Sequence, residues 1–243
     1  SRTRISRPFV RERIGNADFL WIYALPYQVS NWRRYANMFS FALLVLFATL
    51  FQRSPDVIVG SSPQLPAAYM AWLVARLKRV RYVLEVRDLW PQVLIEMGGK
   101  TEDSRLVRLL RRLEGRLYNS SDSVIVLARG AIEYVKSRND DADIHWLPNS
   151  VSVADFAIEE TRDDLRERLA LPCDEVVLVY AGAHGDANAL DTIVEACRIL
   201  EPKGLAARVV LYGDGTRKAD IAAALPASFQ ACGGPAGGAA CIW

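Results

Sequence analysis

Three short stretches hold residue types at spacings that could do chemistry. The first is Arg87-Asp88, which closes the run Arg81–Pro91, RYVLEVRDLWP. Tyr82, Val83, Leu84 and Val86 give that run strand character, and it breaks at Pro91. In open α/β sheets, ligands sit outside the carboxyl ends of the strands. A cation and a carboxylate placed there are either a site or a structural ion pair, and the stretch by itself leaves both readings open. The second is Gly182-Ala183-His184-Gly185, between the apolar run Val176–Ala181 and a helical pattern over Leu190–Leu200. Glycines keep such a turn free of side chains, and free amides with a helix dipole attract a diphosphate. His184 could donate to a phosphate or sugar oxygen, or simply face solvent. The third is Gly213-Asp214-Gly215, at the end of the strand-like Arg208–Tyr212. It is a plain turn when taken alone. Paired with the first glycine turn in one unit, it outlines a nucleotide pocket.

The elements that must position these residues read in order. Phe19–Ala24 has strand character. Met38–Phe51 is apolar almost throughout and shorter than the ~20 residues of a membrane span. It reads as a buried helix, with an interfacial segment as the alternative. Pro55–Gly60 is a strand, followed by the small-residue loop Ser61-Ser62-Pro63, which lets a ligand approach backbone amides. Leu65–Leu77 is a helix, so strand, helix and strand form a βαβ unit in a parallel sheet. Ser104–Tyr118 is an amphipathic helix. Leu106, Leu109, Leu110, Leu113 and Leu117 lie on one face, and Arg105, Arg108, Arg112 and Arg116 on another. Such a helix lies on a membrane or packs on a core with a wet basic face. Ser123–Ala128 and Ile144–Leu147 are further strands. The polar stretch Asp155–Leu171 reads as the passage between two domains, placed at 1–156 and 157–243, because the α/β pattern restarts after it. Ala227–Trp243, ASFQACGGPAGGAACIW, has no periodicity and is expected to supply neither strand nor capped helix. It reads as a frameshift or a junction that ends the second unit early.

Composition removes several classes. With 51% hydrophobic and 24% charged residues the chain is an ordinary globular one. A net charge of +2 gives no argument for nucleic acid. Arg2, Arg4, Arg7, Arg11, Arg13, Arg33 and Arg34 crowd the start, a face for an anionic membrane, a phosphorylated substrate or plain solvent. Cys173, Cys197, Cys232 and Cys241 form no C-x-x-C pair, which argues against zinc, and scattered thiols without a secretory signal fit a reducing compartment. Asp141-Ala142-Asp143 has the D-x-D form of metal-dependent sugar transferases but sits in a charged stretch. It reads as a surface loop, and no metal or other cofactor is expected. The glycine turns are not G-x-G-x-x-G, which turns the reading away from a dehydrogenase.

Pro55–Pro63, EVRDLWPQ at 85–92, LPNSV at 147–151, YAGAHG with ALDTIVEA over 180–196, and GDG at 213–215 together resemble, in order and spacing, one group. That group is the retaining glycosyltransferases of family four with the GT-B fold, in the branch of bacterial cell-surface polysaccharide enzymes of the fucosamine transferase type. The resemblance implies an α/β chain of two Rossmann-like domains with parallel sheets, an acceptor side first and a nucleotide-sugar side second, both incomplete here. It places Arg87 and Asp88 at the reacting sugar. Gly182, His184 and Gly185 fall on the donor diphosphate, and Gly213, Asp214 and Gly215 on the nucleoside side. Ser61, Ser62 and Asn149 fall on the acceptor side, with Ser150 where the family has Gly.

The same resemblance implies transfer of a sugar from a nucleotide-diphosphate sugar to a hydroxyl with retention and without a metal. A lipid-linked acceptor, met in the cytoplasm at the inner membrane face, would explain the basic start, the apolar Met38 segment and the arginine-rich helix together, each of which also has a plain structural reading. A sugar-nucleotide 2-epimerase of the same fold and an inactive remnant are the alternatives. The family's first strand, its C-terminal acidic motif and the basic pair after Gly185 are missing, and Asp186-Ala187-Asn188 stands in the last place.

Overall fold

The computed structural model describes residues 9–25, 32–62, 64–97, 100–156, 160–169, 171, 176–204, 207–226, 230–233 and 239–242. The chain divides into two compact units, Ser1–Val151 and Ser152–Trp243.

The first unit opens with a hairpin, β1 (Phe9–Ile14) against β2 (Ala17–Ile22), in antiparallel register. Gly15 at φ 60 supplies the left-handed residue of its tight turn. Helix α1 (Trp32–Leu50) follows, then β3 (Val57–Ser61), α2 (Leu65–Lys78), β4 (Arg81–Val86), the short α3 (Gln92–Glu96), α4 (Arg105–Ser120), β5 (Ser123–Val126), α5 (Ala131–Arg138) and β6 (Ile144–Trp146). The sheet order is β3-β4-β5-β6 and every pairing is parallel, so each strand is joined to the next by a helical crossover. Parallel pairing brings all the carboxyl ends to one edge, where Ser61, Arg87 and the residues after Val126 and Trp146 emerge.

Alternation along the strands decides the core. Tyr82, Leu84, Val86, Val124 and Val126 are buried under Leu65, Ala68 and Trp72 of α2, Leu110 and Leu117 of α4, and Val135 of α5. Residues of opposite parity, such as Val57 and Val59, remain exposed.

Helix α1 departs from the expected buried helix. It starts earlier, at Trp32, and buries only Met38 and Ala42. Phe39, Leu43 and Phe47, spaced four apart, form an exposed apolar stripe. The reason is a shortage of neighbours: α2 is the main element packed on α1. No described helix is long and apolar enough to cross a membrane.

In the second unit the polar connecting stretch is not featureless. It carries α6 (Arg162–Arg168), capped by Thr161, whose hydroxyl accepts from the Asp164 amide while the Asp164 carboxylate bonds back to the cap. Then come β7 (Val176–Ala181), α7 (Asp191–Leu200), β8 (Ala207–Tyr212), α8 (Lys218–Ala224), β9 (Gln230–Gly233) and β10 (Ala239–Ile242). β7 and β8 are parallel. The tail overturns the expectation that it supplies no strand: β9 and β10 form a hairpin and β10 adds antiparallel to β8, giving the order β7-β8-β10-β9. Strand pairing needs only backbone donors and acceptors, and the free edge of β8 offers them to a small-residue segment without periodicity. The core is small, built from Leu190, Val194, Cys197, Val209, Leu211 and Ile221.

Candidate functional site

In the first unit β4 delivers Arg87 and Asp88 to the carboxyl edge as exposed residues. They form no ion pair with each other, and neither side chain bonds a described residue, which removes the structural-pair reading. Their backbone is held instead. The Ser62 hydroxyl accepts from the Arg87 amide at 3.0 Å and donates to the Asp88 carbonyl at 3.1 Å. The Ser62 amide continues the ladder to the Glu85 carbonyl at 2.9 Å. Ser62, expected to face the acceptor, is 2% exposed, and its hydroxyl proton and one of its lone pairs are spent on the turn. Ser61 is also occupied, donating to the Glu85 carboxylate. Asn149 lies beyond the end of β6, exposed and without a side-chain partner among the described residues, two strands away from β4. The fold therefore brings Ser61, Ser62, Arg87 and Asp88 together, and Asn149 to the same edge only.

Behind the Arg87–Asp88 turn the Trp90–Pro91 peptide is cis, and α3 begins at Gln92. Gln92 accepts from Arg111 of α4 at 2.7 Å. Arg111 also bonds Glu102 at 2.7 Å, Glu114 at 3.3 Å and the Tyr134 hydroxyl. Tyr134 donates to Glu114 at 2.9 Å. Glu114 is 1% exposed. Burial pushes its carboxyl above the usual range, and the Tyr134 hydroxyl and the Arg111 guanidinium pull it part of the way back. Burial works against the charge on Arg111, but Glu102, Tyr134 and Glu114 more than offset it. This network ties α3, α4 and α5 together behind the candidate site. Sequence reading missed it, because Glu114 shows as one acid in an arginine-rich helix, and the residues that complete the network, Gln92, Glu102 and Tyr134, come from three other segments.

In the second unit the two glycine turns meet. The Gly182 amide donates to the Tyr212 carbonyl and the His184 amide to the Asp214 carbonyl, both at 2.9 Å. A Cβ on Gly213, at φ 157, would overlap the Gly182 carbonyl. One on Gly215 would lie 2.9 Å from the His184 amide nitrogen. Gly213 and Gly215 make room for the backbone of Gly182 and His184 and not for a ligand. His184 is neither at the surface nor reaching outward. It is 2% exposed, and neither ring nitrogen has a partner. The amides of Ala183 and Gly185 donate to no described residue, and there is open space around Gly185. The helix expected to begin there begins later: a 3-10 turn, Asp186–Asn188, intervenes, and α7 starts at Asp191. The α7 dipole is thus displaced from the turn, and acids occupy the first position of both segments.

A cation missed in the sequence sits at this point. Arg217 bonds Asp186 and Asp191 at 3.1 Å each and Asp220 at 3.3 Å, and its amide donates to the His184 carbonyl at 2.9 Å. The Asp186 hydrogen bond and the Asp191 charge raise its pKa further. Lys218 lies 3.8 Å from Asp214. The signal in the sequence is the Arg217-Lys218 pair after Gly215, outside the loop that follows Gly185. Asp143 of the D-x-D stretch is bound to Ser123 at 2.7 Å and His145 at 3.0 Å, which hold its carboxyl below the usual range. Among the described residues no group of His, Cys, Asp and Glu side chains is placed to hold a metal ion.

Residues 6–150 match the family model of the glycosyl transferase 4-like domain, well over half of the chain. The chain belongs to that family. It is 27% identical over 198 residues to WcaI of Escherichia coli, named as a colanic acid biosynthesis glycosyl transferase, covering 79% of this chain and 49% of WcaI. It is 31% identical over 119 residues to the glycosyltransferase WbjE of Pseudomonas aeruginosa, covering 48% of this chain and 30% of WbjE. The chain thus spans half or less of the length of these relatives. Among solved structures, sucrose-phosphate synthase from Thermosynechococcus elongatus superposes with a TM-score of 0.60 at 15% identity, over 85% of this chain and 49% of that one. S. aureus TarM superposes with a TM-score of 0.50 at 14% identity, over 76% and 34%. These two show the fold, an α/β architecture of the GT-B type.

Proposed function

We propose that this family member serves a glycosyltransferase reaction of cell-surface polysaccharide biosynthesis. A sugar moves from a nucleotide-diphosphate sugar to an acceptor hydroxyl with its anomeric configuration retained. The observation that carries the reading is the free Arg87–Asp88 pair, held by its backbone at the carboxyl edge of the sheet in a chain of this family. Asp88 orients a sugar or acceptor hydroxyl, and Arg87 holds a phosphate. In the second unit the free amides of Ala183 and Gly185 face the leaving diphosphate, and Arg217 offsets the charge of Asp186 and Asp191 beside them. Fixed donors aimed at developing charge are a large catalytic contribution. His184 keeps the turn in place through its backbone. Asn149 contributes on the acceptor side.

The names of WcaI and WbjE favour transfer over epimerisation, and the TarM structure contains UDP. The reading uses no metal ion. It places the protein in the cytoplasm at the inner face of the plasma membrane, acting on a lipid-linked saccharide. Calorimetry of the chain with UDP and GDP, without added metal, tests the donor side. Micromolar binding of one nucleotide is expected, and binding of neither would overturn it. NMR of the product's anomeric proton tests retention.

A further inference from the structure

Helix α4 distributes its charge unevenly. It holds arginines at 105, 108, 111, 112 and 116 and a single acid, Glu114. The fold turns that acid inward and Arg111 turns with it, into the network described above. Arg105, Arg108, Arg112 and Arg116 are left on the outer side, within roughly 80° of arc at 100° per residue. All four are exposed. Arg105, Arg108 and Arg112 enter no ion pair or hydrogen bond among the described residues. Arg116 lies over the Trp72 ring, 5.3 Å from its centroid. Leu109, 41% exposed, flanks the row about halfway along it.

The basic surface does not stop with the helix. Past the end of α4, Arg76, Arg79 and Arg81 line a groove of about 500 Å³ with Trp72 and Ser120. Its one acid, Asp122, is taken up by the Tyr82 amide at 2.7 Å.

A helix face that only needs solvation mixes signs, because opposite charges four residues apart stabilise a helix and like charges destabilise it. Arg108, Arg112 and Arg116 repeat at that spacing with no acid between them on the outer face. The row runs about 16 Å along a straight rod, with an apolar tip on its flank. That shape fits a plane of negative charge with an apolar layer beneath it.

We propose that this arginine face docks the protein on an anionic lipid bilayer. The inference rests on the membrane part of the proposed function and names the surface that performs it. The Arg111–Gln92 bond joins α4 to the segment that begins four residues after Asp88. A bilayer lying along α4 therefore reaches the end of the unit that carries Arg87 and Asp88. Nothing in the structure shows what covers the apolar stripe of α1, and the arginine row does not need it.

The test is co-sedimentation of the chain with vesicles of phosphatidylglycerol and phosphatidylcholine, against vesicles of phosphatidylcholine alone. The wild type should bind only the anionic vesicles, less so at high salt. The double variant Arg108→Gln/Arg112→Gln should lose about thirtyfold in partitioning, and Arg108→Lys/Arg112→Lys should keep most of it. Circular dichroism confirms that each variant is folded. Equal binding of the Gln variant would place the docking surface elsewhere and overturn the inference, while leaving the membrane reading standing. Equal binding to neutral vesicles would overturn it as well. A wild type that ignores anionic vesicles would remove both, including the case in which it retains soluble polyphosphate.

Discussion

The carboxyl ends of β4 and β7 meet their surroundings in opposite ways. After β4 the chain exposes two charged side chains, Arg87 and Asp88, and fixes them from behind through the buried hydroxyl of Ser62. After β7 the chain buries its one distinctive side chain, His184, and presents backbone amides held by a second glycine turn. The difference teaches which atoms each end can lend to a reaction. The first end can orient and polarise with ionic groups that cost the fold nothing when they change partner. The second can only offer fixed dipoles, and its geometry depends on two segments staying in register.

Four substitutions would sharpen or break that contrast, given from the largest expected effect to the smallest. Asp88→Asn should lower transfer turnover by about 10²–10³-fold. The melting temperature should stay where it is, because the carboxylate bonds no described residue. Full turnover would show that the first end works through something other than its exposed acid.

Gly213→Ala should behave in the reverse manner. Its Cβ would overlap the Gly182 carbonyl, so the second unit should lose about 3 kcal/mol and its nucleotide binding together. Hydrogen exchange resolved by segment would register this in β7 and β8 and leave β4 unchanged. A stable variant that still binds nucleotide would mean the two turns are not interlocked.

Ser62→Ala removes the donor and acceptor that hold the Arg87–Asp88 turn, leaving the Arg87 amide without its partner. It should cost about 1–3 kcal/mol in denaturant unfolding and lower turnover by less than Asp88→Asn does. Glu114→Gln tests the support behind that turn. The Glu114 carboxyl is raised in the folded state, so the folded protein holds its proton more tightly than the unfolded chain. Its contribution is then fully present below the ordinary carboxylate pKa and is lost as pH rises through the raised folded value. The Gln variant should show a flatter loss of stability over that window, read from unfolding midpoints at a series of pH values.

The strands, the crossover helices and the placing of Arg87-Asp88 and the two glycine turns at strand ends were legible, because short apolar runs that end in Gly or Pro mark buried parallel strands. The capping box at Thr161 was in the letters T-R-D-D but was hidden within a stretch read as a linker. The pairing of β10 on β8 was not legible, since a Gly- and Ala-rich segment carries no side-chain pattern to announce it. Ser62 was visible as a small residue near the site, but its burial was not. The same holds for His184.

The sequence by itself determined the family, the α/β alternation and which residues stand at the ends of the strands. Those follow from local periodicity and from motifs whose spacing is written in the chain. Only the tertiary structure decided what each of those residues touches. Ser62 spends its hydroxyl on a turn twenty-five residues away, Arg217 closes on Asp186 and Asp191 from the far side of β8, and Glu114 draws Arg111 inward and leaves four arginines facing out. Each of these depends on which segments pack together, and a charge or hydroxyl has no preference for a partner until packing removes water from one side of it.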